Sequence, residues 1–284
     1  MKEGPDTRLG FGPPFESRRR VNIMGLVLHE VKADEEFVPL IAALREGFAN
    51  PDTAVWRLFM GDWRPDDLAA REAALVEATE RMRAEHRADP TSTWLKVIDE
   101  ETGQVVAGGR WSFFERGGPN PYDGHREVEA TWFPEGEPRW VASLLLNDFL
   151  ERAVRNANRP HACECVAGSE IRFHVGFASQ TDVEITPVLN ILFTIPEYRR
   201  RGAASLVMDW GVERADCMGL DVYIEASEGG KPLYEKYGFE AIEESYYEVD
   251  EKRLPPPRDV ELRKEAVKQL SPFRRWSMLR KARG

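Results

Sequence analysis

Apolar residues along the chain recur at two spacings, near two and near 3.6 residues, the periods of strands and helices. Leu26-Val27-Leu28-His29-Glu30-Val31 predicts a first strand. Phe37, Leu40, Ile41 and Leu44 predict a helix over 35–48, which Pro51 ends. Residues 66–88 predict a charged helix with a narrow apolar face of Leu68, Ala69, Leu75, Val76, Thr79 and Met82. The runs 94–98 and 105–111 predict a hairpin around the turn 99–103, where Gly103 suits the left-handed position. Residues 115–138, rich in Pro and Gly, predict an irregular excursion. A helix is expected over 141–156, with Leu144, Leu145, Phe149 and Val154 available to bury.

The second half is patterned more sharply. Residues 188–194 are nearly all apolar, as in a strand covered on both faces. Gly202 to Gly219 predicts a helix with Ala204, Val207, Met208, Gly211, Ala215 and Met218 in one stripe and Gly219 as its stop. A strand follows over 220–226, then a short helix opened by Gly230-Lys231-Pro232 and closed by Gly238, then a strand from Phe239. Only the segment 160–187 is poorly patterned, with a weak alternation at Ile171, Phe173 and Val175. The order strand–helices–hairpin–excursion–strand–helix–strand–helix–strand predicts an α/β (α+β) single domain. The expected boundaries are a disordered tail over 1–24, a domain over 25–250 that includes the excursion 115–187, and a C-terminal tail over 251–284. That last tail holds a helical run and a basic end.

Composition narrows the function classes. The 284 residues include 49 acidic and 39 basic ones, a net charge of −10, which argues against coating nucleic acid or an anionic membrane by bulk attraction. No run approaches the roughly 20 apolar residues of a membrane helix. Cys163, Cys165 and Cys217 cannot form a disulfide framework, and the first 25 residues lack the apolar core of a signal peptide. A cytoplasmic location is therefore expected, with a nuclear one left open. Cys163-x-Cys165, near His161 and His174, lacks the spacings of a zinc site, so no metal is expected.

The stretch that carries chemistry is Leu192-Phe193-Thr194-Ile195-Pro196-Glu197-Tyr198-Arg199-Arg200-Arg201-Gly202-Ala203-Ala204. A buried strand runs into a loop that opens a helix, whose first turn leaves N–H groups unpaired at the positive end of the helix dipole. Gly202, Ala203 and Ala204 let an anion approach the backbone while the arginines add charge, a combination suited to a phosphate or pyrophosphate. The alternative is a solvated basic loop. The Walker pattern of nucleotide hydrolysis is absent.

Arg199-x-x-Gly202-x-Ala204 resembles the Arg/Gln-x-x-Gly-x-Gly/Ala signature of the GCN5-related N-acetyltransferase (GNAT) superfamily. The preceding Pro196-Glu197-Tyr198, the strand 220–226 and Leu233-Tyr234-Glu235-Lys236-Tyr237-Gly238-Phe239 follow in that family's order. The resemblance is close over 188–240 and looser over 26–187. Trp210-Gly211, Ala215-Asp216, Glu225-Ala226-Ser227 and Gly230 look like a fungal subgroup.

The resemblance implies a mixed twisted sheet flanked by helices, with the central parallel strands 188–194 and 220–226 splayed apart. Acetyl-CoA is the implied co-substrate. Its pantetheine arm would lie against Leu192, Phe193 and Thr194, and its pyrophosphate against Arg199, Arg200, Arg201, Gly202, Ala203 and Ala204. An acceptor amine would attack the thioester directly, and Tyr234 would protonate the departing thiolate. Where the family often has an asparagine after the second strand, this chain reads Ser227-Glu228-Gly229-Gly230, so Ser227 is the candidate there. The base is left open among Asn190, Thr194, Glu184, Glu129 and a water chain. The expected acceptor is a small-molecule or peptide amine, with no nucleic acid and no membrane as partner and a homodimer left open. Two rival readings are an acyl-CoA-binding sensor without catalysis and a phosphate- or nucleic-acid-binding protein.

Overall fold

A computed structural model of the chain describes residues 25–113, 127–157 and 188–283. Its seven strands, β1 (Leu26–Glu30), β2 (Ser92–Asp99), β3 (Val105–Ser112), β4 (Val188–Thr194), β5 (Val222–Ala226), β6 (Glu240–Tyr247) and β7 (Phe273–Arg280), form one sheet of order β1-β2-β3-β4-β5-β7-β6. Every neighbouring pair is antiparallel except β4 and β5. The β2–β3 hairpin closes through Gly103 at φ 72°, a conformation that costs a residue with a Cβ about 1 kcal/mol or more. This is the expected mixed sheet.

Helix α1 (Phe37–Phe48) buries Phe37, Leu40, Ile41 and Leu44, the four residues whose spacing predicts it. It ends against β4: a Cβ added at Gly47 would stand 3.2 Å from the Cβ of Phe193. Helix α3 (Leu68–Ala88) forms where expected and buries Thr79 and Met82 of its expected face, with Leu75 packed beside them, but that face is rotated from the expected one. Leu68 and Val76, expected on the apolar face, are 74% and 64% exposed. Its buried side is Ala78, Thr79 and Met82, with Arg81, whose guanidinium stacks 4.6 Å over the Trp132 ring and donates to Phe59 O at 2.9 Å. A periodicity count ranks Val76 above arginine, yet Val76 lies about 100° from Leu75 around the helix.

Helix α2 (Ala54–Met60) has no counterpart in the pattern, because its seven residues are apolar apart from Arg57 and show no period. Helix α4 (Glu137–Ala157) buries Leu145 and Phe149 as expected, whereas Leu144 is half-exposed and the Val154 side chain lies outside the described residues. Helix α5 (Ala203–Met218) runs between Gly202 and Gly219, both left-handed, at φ 86° and 64°. It buries Val207, Met208, Gly211 and Ala215 of the expected stripe, but Ala204 is only half-buried and Met218 is exposed. Short helix α6 (Lys231–Lys236) follows β5.

The segment 251–284 departs from the expected tail. It carries helix α7 (Val260–Leu270) and strand β7, which occupies an interior position between β5 and β6. Arginines mask that strand in the sequence Phe-Arg-Arg-Trp-Ser-Met-Leu-Arg. Arg280 is nevertheless buried, because its guanidinium donates to both carboxylate oxygens of Asp216 on α5 at 2.8 Å and to Tyr237 O at 3.0 Å. Helix α7 is bolted to α4 by a buried pair: Arg263 donates to Glu137, which also accepts the Arg258 amide at 2.7 Å and the Asp259 amide at 3.2 Å.

Two apolar clusters result. One gathers α1, α3 and α5 on strands β1–β5, and the second joins α2, α4 and α7 to the sheet through Tyr247 and Phe273. The 1–24 tail, residues 115–126 of the 115–138 excursion, the run 160–187, Cys163, Cys165, His161, His174 and Glu184 lie outside the described residues.

Candidate active site

Between β4 and β5 the parallel ladder has a single register pair, Val188 with Tyr223. Beyond it β4 pairs with β3 through Thr194, and β5 pairs with β7 through Ala226, so the two strands diverge. Their separation opens a cleft of about 1340 Å³. Leu192, Phe193 and Thr194 line one side; Glu225 and Ser227 line the other, and Tyr234 of α6 faces the same space. Backbone groups on a strand edge without a neighbour suit an extended amide-bearing ligand, which completes the ladder.

At one end of the cleft stands the loop 199–202. Arg200 at φ 60° is the one non-glycine residue with positive φ among the described residues, and Gly202 follows at 86°. The first helical hydrogen bonds of α5 are donated by Ser205 and Leu206 to Gly202 O, so the amides of Gly202, Ala203 and Ala204 precede the ladder. Left-handed residues alternating with others turn successive N–H groups to one side, an anion-binding concavity. Arg199, Arg200, Gly202, Ala203 and Ala204 line the cleft.

The arginines divide the work. Arg199 is committed to the fold, donating to Gly47 O at 2.6 Å and to Thr194 O at 3.3 Å, and so clamps the loop to α1 and β4. Arg201, which is absent from the described lining, stacks 4.4 Å over the Tyr198 ring. The Tyr198 hydroxyl in turn donates to Asp99 at 2.6 Å, which holds the Asp99 carboxyl below its ordinary range and pushes the tyrosine up. Arg199 and Arg200 are the cations of the run that border the cleft.

The two tyrosines of α6 and its end differ in the same way. Tyr237 is structural: its hydroxyl donates to Asp209 at 2.7 Å on α5, and burial with that bond pushes its phenol up to about 12. Tyr234 is buried edge-on against Phe239, at 5.9 Å between centroids, and borders the cleft. A Cβ at Gly230 would stand 2.9 Å from the Tyr234 ring, so Gly230 sets how closely the turn approaches it. Ser227 accepts the Gly230 amide through Oγ at 3.2 Å, bracing the turn that leads into α6 while it lines the cleft.

Of the groups left open as base, Asn190 donates to Ser112 at 2.9 Å and lines the cleft with Thr194. Glu129 does not join them: it is paired with Arg139 and 63% exposed at its side chain. The residue missed by sequence reasoning is Glu225, whose place in an alternating strand reads as solvent-facing. The structure makes it 8% exposed instead, because β7 covers that edge of β5. Trp56 also lines the cleft, stacked on Phe48 at 4.8 Å.

Residues 141–252 match the family model described as an acetyltransferase (GNAT) domain. The match takes in β4, the 199–202 loop, α5, β5, α6 and β6, and leaves out β7. No curated protein matches the chain. Among solved structures, an agmatine N-acetyltransferase is 16% identical, with 90% of this chain and 99% of that one covered at a TM-score of 0.49. A histone acetyltransferase-related protein from Corynebacterium glutamicum is 16% identical over 92% and 98% at 0.47. A mosquito arylalkylamine N-acetyltransferase-like protein is 14% identical over 90% and 99% at 0.45. Likenesses of that order leave substrate to the site's own chemistry. Over residues 141–252, less than half of the chain, the protein is similar to a GNAT acetyltransferase domain.

Proposed function

We propose that the protein transfers an acetyl group from acetyl-CoA to a primary amine by direct attack, without a covalent enzyme intermediate. The observation that carries this reading is the divergence of β4 and β5 after one register pair, ending at the left-handed loop before α5. The pantetheine arm fits the Leu192–Thr194 edge, and the pyrophosphate fits the amides of Gly202, Ala203 and Ala204 with Arg200 beside them. Arg199 acts by positioning the loop. When bound, the co-substrate supplies an acyl thioester.

The chain's part is to hold that thioester between the strands and to manage protons. Tyr234 is placed to give its hydroxyl proton to the leaving sulfur, and Ser227 fixes the turn that carries the tyrosine. The acceptor is a small-molecule or peptide amine. The fungal-type subgroup rests on residues 210–230 alone.

Thermal unfolding with acetyl-CoA, and with NADH and ATP as controls, tests the cofactor. A ligand at 100 times its dissociation constant adds about 2.7 kcal/mol. A rise with acetyl-CoA alone is expected. Stabilisation by ATP alone, or none by acetyl-CoA, overturns the reading. Stabilisation by acetyl-CoA without turnover on any amine makes the protein an acyl-CoA sensor instead.

A further inference from the structure

Glu225 sits at the wall of the cleft in a setting that its fold does not explain. Its Oε1 accepts the Tyr223 hydroxyl and the Ser277 hydroxyl, while Oε2 is buried with no hydrogen-bond partner among the described residues. Register places Ser277 of β7 opposite Glu225, and Glu243 of β6 opposite Ser277, so all three side chains share one face of the sheet. Arg275, two residues from Ser277 on that face, also lines the cleft and has its Nε buried without a partner. A buried carboxylate oxygen left unpaired is costly, more so when charged, and such atoms persist where they serve a function or hold a water.

Resting on the acetyl-transfer reading, we propose that Glu225 is the proton acceptor for the acceptor amine, reached through one water on Oε2. The amine arrives as its ammonium and passes one proton through that water to the Glu225 carboxylate. The freed lone pair forms the C–N bond at the thioester carbonyl as the C–S bond breaks. Tyr234 gives its proton to the sulfur, and its phenolate takes the surplus proton of the new amide. Glu225 then releases its proton to solvent, so ammonium and thioester become amide, thiol and one proton.

The surroundings make the carboxylate a stronger base than a solvated one. Burial pushes the Glu225 carboxyl above its ordinary range, and Glu243 adds to that. The hydroxyls of Ser277 and Tyr223 and the charge of Arg275 oppose it. Two hydroxyl donors on one oxygen also hold the carboxylate in a single orientation, leaving the other oxygen to act.

The test is Glu225→Gln, which keeps an acceptor for both hydroxyls and so preserves the packing; its melting temperature checks this. Acetyl transfer is measured from pH 6 to 9 with a primary alkylamine, phenylethylamine and a peptide bearing a free N-terminus, all ammonium ions at neutral pH. Hydroxylamine, uncharged there, is the control. With the charged amines kcat near neutral pH is expected to fall about 100-fold or more, and the acid limb to lose its carboxylate inflection and rise only with the free-amine fraction, while hydroxylamine is acetylated at close to the wild-type rate. Ser277→Ala removes one donor to the carboxylate and should move the acid limb to higher pH.

A Gln variant with wild-type rate and profile, or equal losses with hydroxylamine, overturns the assignment. A wild type that binds acetyl-CoA yet acetylates no amine takes down the acetyl-transfer reading in favour of the sensor, and the assignment with it. A wild type that fails to bind acetyl-CoA instead takes down the acetyl-transfer reading itself.

Discussion

Gly202 holds φ 86° at the mouth of α5, where any side chain meets the left-handed penalty of about 1–2 kcal/mol and, on the acetyl-CoA reading proposed above, the approach of the pyrophosphate. Gly202→Asp is expected to abolish stabilisation by acetyl-CoA. Gly202→Asn, uncharged and tolerant of the left-handed region, separates charge from strain and should retain part of the shift. Equal shifts for wild type and the Asp variant would remove the loop from the site. The two tyrosines offer a second comparison. Tyr234→Phe should lower kcat with little change in acetyl-CoA affinity. Tyr237→Phe should instead cost about 1.5 kcal/mol of stability, because it removes the bond to the Asp209 carboxylate, and should spare kcat. An unchanged kcat for Tyr234→Phe takes that phenol out of the chemistry.

Among the elements, α5 is held by Trp111, whose indole fills the space where Gly211 has no side chain and whose Nε1 donates to Val207 O at 3.2 Å. An added Cβ would lie 2.0 Å from the ring. Gly211→Ala is expected to lower stability by about 3 kcal/mol and to weaken acetyl-CoA binding as the start of α5 shifts; denaturant melts and ligand titration read both. Strand β7 matters more. It separates β5 from β6, supplies Ser277 beneath Glu225, and ties α5 through Arg280. A chain ending at residue 250 should lose cooperative unfolding by circular dichroism. If that shorter chain melted like the full one, 251–284 would be an appendage after all.

Over the whole molecule, the charge balance makes stability fall in acid. Arg280 holds the Asp216 carboxyl below its ordinary 3.8. Burial pushes Glu36 up, but Lys96 and the amides of Ala33 and Lys32 overcome it and hold the group down to about 2. Glu137 is likewise pushed up by burial and pulled lower by the Arg258 and Asp259 amides and Arg263. For each of these, the unfolded chain binds protons first. Their stabilisation is therefore complete above the unfolded carboxylate range and is lost as pH falls through the folded values. Glu225 runs the other way: its contribution is complete below 4.5 and lost as pH rises through its raised value. The melting temperature should climb from pH 2 to about 5 and then stop rising. A flat profile between pH 5 and 2.5 would contradict the ion pairs described.

The sequence alone determined the elements whose burial is one-sided and regular. The period of α1, the unbroken apolar run of β4, and the glycines at both ends of α5 need only local sterics and one apolar face to be read. The 199–202 loop was legible for the same reason: small residues, arginines and a helix start lie within six consecutive positions. Only the tertiary structure decided what depends on partners distant in the chain. Arginines 81, 263 and 280 are buried because a ring or carboxylate elsewhere receives them, so a hydropathy count misplaces them. Strand β7 reads as a basic tail until β5 and β6 flank it. Glu225 reads as an exposed strand residue until β7 covers it and spends one of its oxygens. A charge enters a core when its solvation is replaced by specific partners, and which partners meet is a property of the fold.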